Sequence, residues 1–149
     1  MAVEGERVAG ELTELEPEDC LRLVATLEVG RIAVTTDADA PPLVVPVNYV
    51  VDGKTVVFRS DKGSKLVALR QFPASFQVDF VDPFHRTGWS VLIQGVVEEV
   101  DAEALAHLAL EPWTVGAKPH WLRVVPAAVS GRRLHLPLFA GATDARGYL

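Results

Sequence analysis

The sequence predicts a mainly β fold, an antiparallel β-barrel with short peripheral helices. Three observations favour this class: six or seven segments rich in β-branched or alternating apolar residues, turn signals between them, and helical patterns too few to alternate with the strands. Strands joined mainly by hairpins are typical of antiparallel barrels rather than parallel sheets. With 149 residues, the chain is long enough for one domain with its own core. We predict a single domain over 1–149, with loosely ordered tails at 1–14 and 137–149.

The predicted elements are a helix at 16–30, strands at 30–35, 43–51 and 54–60, a helix at 62–71, strands at 75–81 and 89–100, a helix at 102–110, and strands at 121–126 and 131–136. Asp52-Gly53 is a strong hairpin signal between the second and third strands. Gln94-Gly95 predicts a bend or bulge in the middle of the long strand, because glycine inside a strand often marks one.

Composition limits the function classes. The hydrophobic content of 49% and the mean hydropathy of +0.21 fit a compact β-rich domain or a dimer that hides apolar surface. A net charge of −6 argues against non-specific nucleic-acid binding, which needs a basic surface. No apolar run approaches the roughly 20 residues of a membrane span, and the N-terminus is charged without an apolar signal core. We therefore expect a cytoplasmic protein whose single cysteine, Cys20, is a buried thiol.

A cluster of cations and hydroxyls follows the hairpin. Arg59 and Ser60 end the predicted strand, and Lys62, Ser64 and Lys65 precede or begin a short helix. Cations, hydroxyls and the free N–H groups of a helix start together suit a phosphate group. On spacing alone, the alternative of a solvated, lysine-tipped loop remains open.

Two further segments combine aromatic and polar residues. Trp89 and Ser90 begin the long strand and lie on its opposite faces. Taken alone, Trp89 is more often a core residue than part of a cofactor site. His120 and Trp121 precede the next strand and could line a ring-binding pocket or plug one end of the barrel, of which we favour the plug. The four histidines lack metal-ligand spacing, so no metal site is predicted. Hydrolase elbows, phosphate loops and dinucleotide-binding glycine motifs are absent from the sequence.

Several motifs occur in one order that resembles a known family. They are Pro46-Val47-Asn48-Tyr49, the Asp-Gly turn, Phe58-Arg59-Ser60 followed by Gly63-Ser64-Lys65-Leu66, and Gly88-Trp89-Ser90-Val91 with Gly95 beyond. Over about 16–134, the chain resembles the pyridoxamine 5′-phosphate oxidase-like, flavin-binding split-barrel superfamily. Within this superfamily, the sequence most resembles the nitroimidazole-resistance-like and actinobacterial flavin/deazaflavin oxidoreductase branches.

The resemblance implies a six-stranded split β-barrel that forms a homodimer with flavin sites at the subunit interface. The cofactor-binding residues it implies are Val45, Pro46, Val47 and Asn48 beside the flavin ring, Arg59, Ser60, Ser64 and Lys65 on the phosphate of FMN, Ser90 on the flavin, and Trp89 and Trp121 near the site. The deazaflavin F420 is the alternative cofactor. Lys65 is followed by Leu66 instead of a second basic residue, and no C-terminal Arg/His motif was identified, so pyridoxamine phosphate oxidation is not expected.

The leading functional hypothesis is an FMN-dependent oxidoreductase that reduces a small electron-poor or conjugated substrate. A flavin carries the redox chemistry itself, so the absence of an obvious acid/base dyad is no obstacle. Tyr49, His85 and Trp121 are candidates for the substrate side. The alternatives are an F420-dependent reductase, a flavin- or haem-binding carrier or sensor without turnover, and a barrel that has lost its cofactor and serves as an interaction module.

Overall fold

In the part of the chain that the structure describes, strands are more numerous and longer than helices. The computed structural model describes residues 9–61 and 71–137. The elements in chain order are β1 (Glu11–Leu15), α1 (Pro17–Val24), β2 (Val29–Val34), β3 (Leu43–Asp52), β4 (Thr55–Ser60), β5 (Phe72–Asp82), β6 (Thr87–Val100), α2 (Ala102–Leu105) and β7 (His120–His135). The prediction of a mainly β fold is confirmed. Neither of these helices is long and apolar enough to cross a membrane.

Six of the strands close into a barrel. Their order around the wall is β7-β4-β3-β2-β5-β6, and pairing between β6 and β7 completes the ring. Each of these neighbouring pairs is antiparallel, as predicted from the hairpin signals. β1 lies outside the ring and pairs only with the C-terminal part of β7, where Leu15 stands opposite Gly131.

The barrel interior is filled by alternate residues of each strand. Ile32, Phe58, Phe76 and Ile93 are completely buried in one hydrophobic cluster, to which α1 contributes Cys20 and Val24. The predicted buried thiol is therefore confirmed, and burial raises the pKa of Cys20 above its ordinary value. α1 begins at Pro17 with two acidic residues in its first turn, as its sequence predicts.

A bulge bends the longest strand pair. Gln94 of β6 lies opposite Ala128, whereas Gly95 lies opposite Pro126, so that β7 carries one extra residue at this point. A Cβ atom on Gly95 would overlap the carbonyl oxygen of Val125, which explains why glycine is needed. The predicted bend is confirmed. The bulge also accommodates Pro126, so β7 continues as one strand where the sequence predicted two.

The structure corrects several predicted boundaries. β1 occupies 11–15, and all but its last residue lie in the segment 1–14 that was predicted to be a loose tail. Its burial pattern has no buried face, so no alternation marks it in the sequence, and pairing with the protruding end of β7 orders it. α1 ends at Val24 instead of continuing to Gly30, because the chain must turn to begin β2 at Val29. α2 covers only Ala102–Leu105 of the predicted helix at 102–110.

The predicted helix at 62–71 lies, apart from Gln71, outside the described residues, and Gln71 itself has a positive φ of 48° that is not helical. The hairpin turn is shifted by one residue from the signal. Asp52 pairs with Thr55, so the turn residues are Gly53 and Lys54. Gly53 has a φ of +59°, a conformation that glycine adopts at low cost.

Candidate functional site

The barrel wall opens between β3 and β4. The ladder between these strands ends at the pair Tyr49–Phe58. Beyond that pair, residues 43–48 of β3 continue along β2, whereas Arg59 and Ser60 of β4 continue along β7. We call the opening between these two segments the split. It leaves two strand edges facing one another without a ladder between them.

Pro46 suits the open edge of β3. The N–H of Tyr49 donates to the carbonyl of Glu28 at 3.1 Å, so alternate residues from Tyr49 along β3 direct their N–H and C=O groups toward β2. The intervening residues Asn48, Pro46 and Val44 therefore direct these groups into the split. Proline has no N–H and is confined to strand edges, so Pro46 forfeits no ladder hydrogen bond here. The edge thus presents N–H and C=O at Asn48 and at Val44, with only a carbonyl between them.

Arg59 and Ser60 stand on the opposite side of the split. The guanidinium carbon of Arg59 lies 4.8 Å from the ring centroid of Trp121, its register partner on β7. Its Nε–H donates to the carbonyl of Lys118 at 3.0 Å and its Nη1–H to the carbonyl of Leu110 at 3.2 Å. Ser60 is only 6% exposed, the one buried polar residue within 9–61 and 71–137. A fixed cation and a buried hydroxyl therefore flank the opening.

A connection without helix or strand crosses the split from outside. We call residues 110–119 the strap. The backbone N–H of Trp113 donates to Oδ1 of Asn48 at 2.9 Å. Nζ of Lys118 lies 3.6 Å from Oδ2 of Asp61. Together with the two hydrogen bonds from Arg59, these contacts attach the strap to both edges of the split.

The strap and the split enclose a cavity of about 150 Å³. Its lining comprises Val45, Pro46, Val47 and Asn48 of β3, Phe58, Arg59, Ser60 and Asp61 at the end of β4, and Pro112, Thr114 and Lys118 of the strap. Two cations and one carboxylate make this lining net positive in a chain whose net charge is −6. The structure thus brings together Val45, Pro46, Val47, Asn48, Arg59 and Ser60, all predicted from the sequence.

Trp121 lies beneath this cavity and does not line it. It is 8% exposed and packs in a small cluster with Val57, Leu105 and Leu110, under the start of the strap. Its ring supports one face of the Arg59 guanidinium. Trp121 therefore contributes to the candidate site by holding the Arg59 guanidinium in position.

Trp89 and Ser90 lie elsewhere on the barrel. Both are on β6, where Ser90 lies opposite Arg132 of β7, whereas the split lies where Arg59 stands opposite Trp121, so most of the length of β7 separates Ser90 from the split. Trp89 packs against the main core cluster, and Ser90 is exposed opposite Arg132. Neither lines the cavity formed by the described residues of one chain. Ser64 and Lys65 lie outside the described residues, so their predicted role stays a prediction.

The substrate-side prediction for Tyr49 does not match its position, whereas that for His85 stays a prediction. Tyr49 is 2% exposed, its hydroxyl donates to the carbonyl of Val24 at 2.5 Å, and burial raises the pKa of this tyrosine well above its usual range. A side chain enclosed in the core cannot meet a substrate. His85 is exposed in the turn between β5 and β6, where Nδ1 lies 2.6 Å from Oδ2 of Asp82.

The contribution of the strap was not predicted from the sequence. Lys118 and Thr114 line the cavity although they lie more than fifty positions from Arg59 in the chain. The segment 112–119 has no periodicity, and nothing in it indicates which carbonyls would meet the guanidinium. Lys118 was nevertheless detectable as one of only 14 basic residues, in a segment otherwise poor in charge.

Comparisons with known proteins agree with this geometry. A family model described as pyridoxamine 5′-phosphate oxidase matches residues 16–133. The protein Rv0080 of Mycobacterium tuberculosis is 35% identical over 136 residues, which cover 85% of this chain and 88% of that protein.

Two solved structures share the fold. The FAD-binding protein of Mycobacterium smegmatis is 31% identical with a TM-score of 0.65, and the match covers 83% of this chain and 98% of that one. A FAD-binding protein of Mesorhizobium loti is 25% identical, also with a TM-score of 0.65, over 84% of this chain and 98% of that one. From the match of the family model and the identity to Rv0080, we conclude that the chain belongs to the pyridoxamine 5′-phosphate oxidase family.

Proposed function

We propose that the protein binds a flavin nucleotide at the split and acts as a flavin-dependent oxidoreductase. The observation that carries this proposal is the pairing of an open strand edge with Arg59 and Ser60 across one cavity. A flavin nucleotide joins a planar ring, with adjacent N–H and C=O groups on one edge, to an anionic phosphate. The two sides of the split match these two parts. The FAD-binding relative at 31% identity adds support for a flavin as the ligand class.

The edge of β3 suits the ring. Asn48 and Val44 each direct a backbone N–H and C=O into the split. A neighbouring strand, or a ring edge with amide-like N–H and C=O groups, can form hydrogen bonds with both. Because Pro46 supplies only an acceptor, we propose Asn48 as the residue whose backbone pairs with the ring. Val45 and Val47, which line the same cavity, provide apolar contact.

The other side suits the phosphate. Arg59 offers charge-assisted hydrogen bonds, and Lys118 adds a second cation 3.6 Å from Asp61. Ser60 supplies a buried hydroxyl. When bound, the flavin would supply the electron-transfer chemistry, while the chain binds it, orients it and excludes water. We propose FMN as the cofactor, with FAD and F420 as the two ligands that the experiment must separate from it.

A second copy of the chain completes the proposed site. The cavity of about 150 Å³ is smaller than the roughly 300–1,000 Å³ of typical small-molecule sites, so the ring would be covered only in part. An open groove beside the strap carries the exposed apolar side chains of Val29, Phe80, Val81 and Trp113. Burial of such a groove against a partner is favourable. We therefore propose a homodimer, in which Ser90 of one copy could approach the split of the other.

The binding proposal is tested by titrating the purified full-length chain with FMN, FAD, F420 and riboflavin, followed by absorbance and calorimetry. Arg59→Ala should weaken FMN binding about 10- to 100-fold through loss of charge-assisted hydrogen bonds, and should weaken binding of riboflavin, which lacks the phosphate, by a much smaller factor. Arg22→Ala, which removes an exposed arginine paired with Asp19 on α1, is the matched control. Failure to bind any of the four ligands would reject the site, and equal losses for FMN and riboflavin would reject the phosphate assignment.

The remaining parts of the proposal have their own tests. Light scattering at micromolar concentration should give about twice the chain mass of 16.2 kDa, and a monomer would contradict completion of the site by a second copy. Reduction of the bound flavin by a nicotinamide or reduced F420, followed by reoxidation with a conjugated acceptor, would support an oxidoreductase. A tightly bound flavin that none of these donors reduces would instead favour a carrier.

A further inference from the structure

Arg59 holds the strap at two separate points. The carbonyls of Leu110 and Lys118, near the two ends of the strap, both accept hydrogen bonds from the one guanidinium. The strap contains no helix or strand before β7 begins at His120, so no ladder fixes its path. Its position over the split therefore depends on side chains, above all on Arg59.

The same guanidinium faces the cavity. It carries five N–H donors in one plane, and the two strap carbonyls take one each from Nε and Nη1. Trp121 supports one face of that plane. Within 9–61 and 71–137, these two carbonyls are the hydrogen-bond acceptors of the guanidinium, so its other donors can bind an anion while the strap stays in place.

The strap also brings its own cation to the cavity. Lys118 lines the cavity wall together with Arg59, and its ammonium group lies 3.6 Å from the Asp61 carboxylate. A strap that moves away from the split takes Lys118 with it. The closed arrangement offers an anion two cations, whereas an open one would offer only Arg59, so an anion has different affinities for the two states.

We propose that closure of the strap and binding of an anion in the cavity are coupled through Arg59 and Lys118. The strap carbonyls hold the long Arg59 side chain in one orientation, so Arg59 loses less conformational freedom when an anion binds afterwards. Coupling of this kind is reciprocal, so a bound anion stabilises the closed strap to the same extent. The inference rests on the proposed function for the nature of the anion, the phosphate of a flavin nucleotide.

The test is hydrogen–deuterium exchange of the full-length protein, read by mass spectrometry on peptides that cover 110–119. Saturating inorganic phosphate should slow exchange of the hydrogen-bonded strap amides, those of Leu110 and Trp113, about fivefold or more. Arg59→Lys keeps the charge but lacks the planar fork that reaches two carbonyls. In this variant, which loses the two carbonyl contacts but keeps a cation beside Lys118, exchange of these amides without ligand should be about tenfold faster, and a higher phosphate concentration should be needed to slow it.

Two other variants separate coupling from simple loosening. Asn48→Ala removes the contact to the Trp113 amide, so it should speed exchange near Trp113 while phosphate still protects the rest of the strap. Arg22→Ala should leave both exchange and protection unchanged. Protection by phosphate in the unmodified protein is independent of whether any variant folds. Its absence would overturn the inference, and so would an Arg59→Lys protein whose strap behaves like that of the unmodified chain.

The experiment also distinguishes this inference from the proposed function. If phosphate protects the strap but no flavin binds, the coupling stands and the flavin site fails. If FMN binds, as seen by absorbance, but neither FMN nor phosphate slows exchange of the strap, the flavin site stands and the coupling fails.

Discussion

Replacing Tyr49 by Phe removes a hydroxyl that connects the barrel strand β3 to the helix α1. This hydroxyl donates to the carbonyl of Val24, the last residue of α1, at 2.5 Å. A buried hydrogen bond contributes about 1 kcal/mol net, and a carbonyl left unpaired in the core costs about 1–3 kcal/mol. The ring of Tyr49 packs edge-on against Phe76 at 4.9 Å, and Phe would keep that contact. We therefore expect Tyr49→Phe to lower the free energy of unfolding by about 1.5 kcal/mol at neutral pH.

The pH dependence gives this prediction a distinctive signature. Burial raises the pKa of Tyr49 in the folded state, so above pH ~10 the unfolded chain loses the phenolic proton while the folded chain keeps it. The contribution of the neutral hydroxyl is thus complete below pH ~10 and is lost at up to about 1.4 kcal/mol per pH unit above it. Phenylalanine has no proton to lose. The stability difference between the two proteins should vanish about one pH unit above pH 10, and should reverse at higher pH.

Calorimetry or urea denaturation at several pH values measures both effects. At neutral pH the midpoint of thermal unfolding should fall by about 3–6 °C for a chain of this size. Tyr148→Phe changes the other tyrosine of the sequence and serves as the control for alkaline titration. The reasoning fails if Tyr49→Phe unfolds at the same temperature as the unmodified protein, or if the stability difference between them is constant up to pH 11.

Two other predictions concern the bulge between β6 and β7 and the turn between β5 and β6. Gly95→Ala should lower the free energy of unfolding by about 3 kcal/mol or more, because the added methyl group would overlap the carbonyl oxygen of Val125. Urea denaturation measures this change. A decrease below about 1 kcal/mol would contradict the bulge geometry. Hydrogen bonds from His85 hold the pKa of Asp82 below its usual range, so the turn between β5 and β6 should keep its structure at and above pH ~4 and lose these bonds only as pH falls further. The amide NMR signals of Phe84 and His85 should then titrate with a midpoint below pH ~4, and Asp82→Asn should abolish that titration; a midpoint at or above the ordinary value would count against it.

The fold was predictable because its local signals agree with one another. The alternation at 75–81 and the hairpin near Gly53 identify strands and their connection without tertiary information. β1 was not predictable, since its residues have no buried face and the strand exists through its pairing with β7. α1 was predicted too long, because Leu27 continues the helical spacing but packs against the core from the turn after the helix.

The candidate site was predictable only in part. The predicted hairpin places the segment 45–48 near Arg59 and Ser60, whereas the assignment of 45–48 to the flavin ring came from the family resemblance. Lys118 reaches the same cavity through the path of the strap, which depends on a hydrogen bond from Arg59 to a backbone carbonyl and on one from a backbone N–H to Oδ1 of Asn48. Backbone groups have the same chemistry in every residue but proline, so the sequence does not reveal which of them will be chosen. The tyrosine prediction was wrong for a related reason, because alternation alone does not separate the inner face of β3 from the outer.

The proline in β3 has a consequence for how this protein behaves at high concentration. An open strand edge is normally a site where another chain can add a strand and begin aggregation. At the split, consecutive donors along the edge are interrupted because Pro46 supplies none, so an incoming peptide could not form a continuous ladder past it. A small planar molecule needs only one donor and one acceptor and meets no such obstacle. The missing donor at Pro46 therefore disfavours strand addition by an extended peptide, while the proposed pairing of a flavin ring with Asn48 would not need that donor.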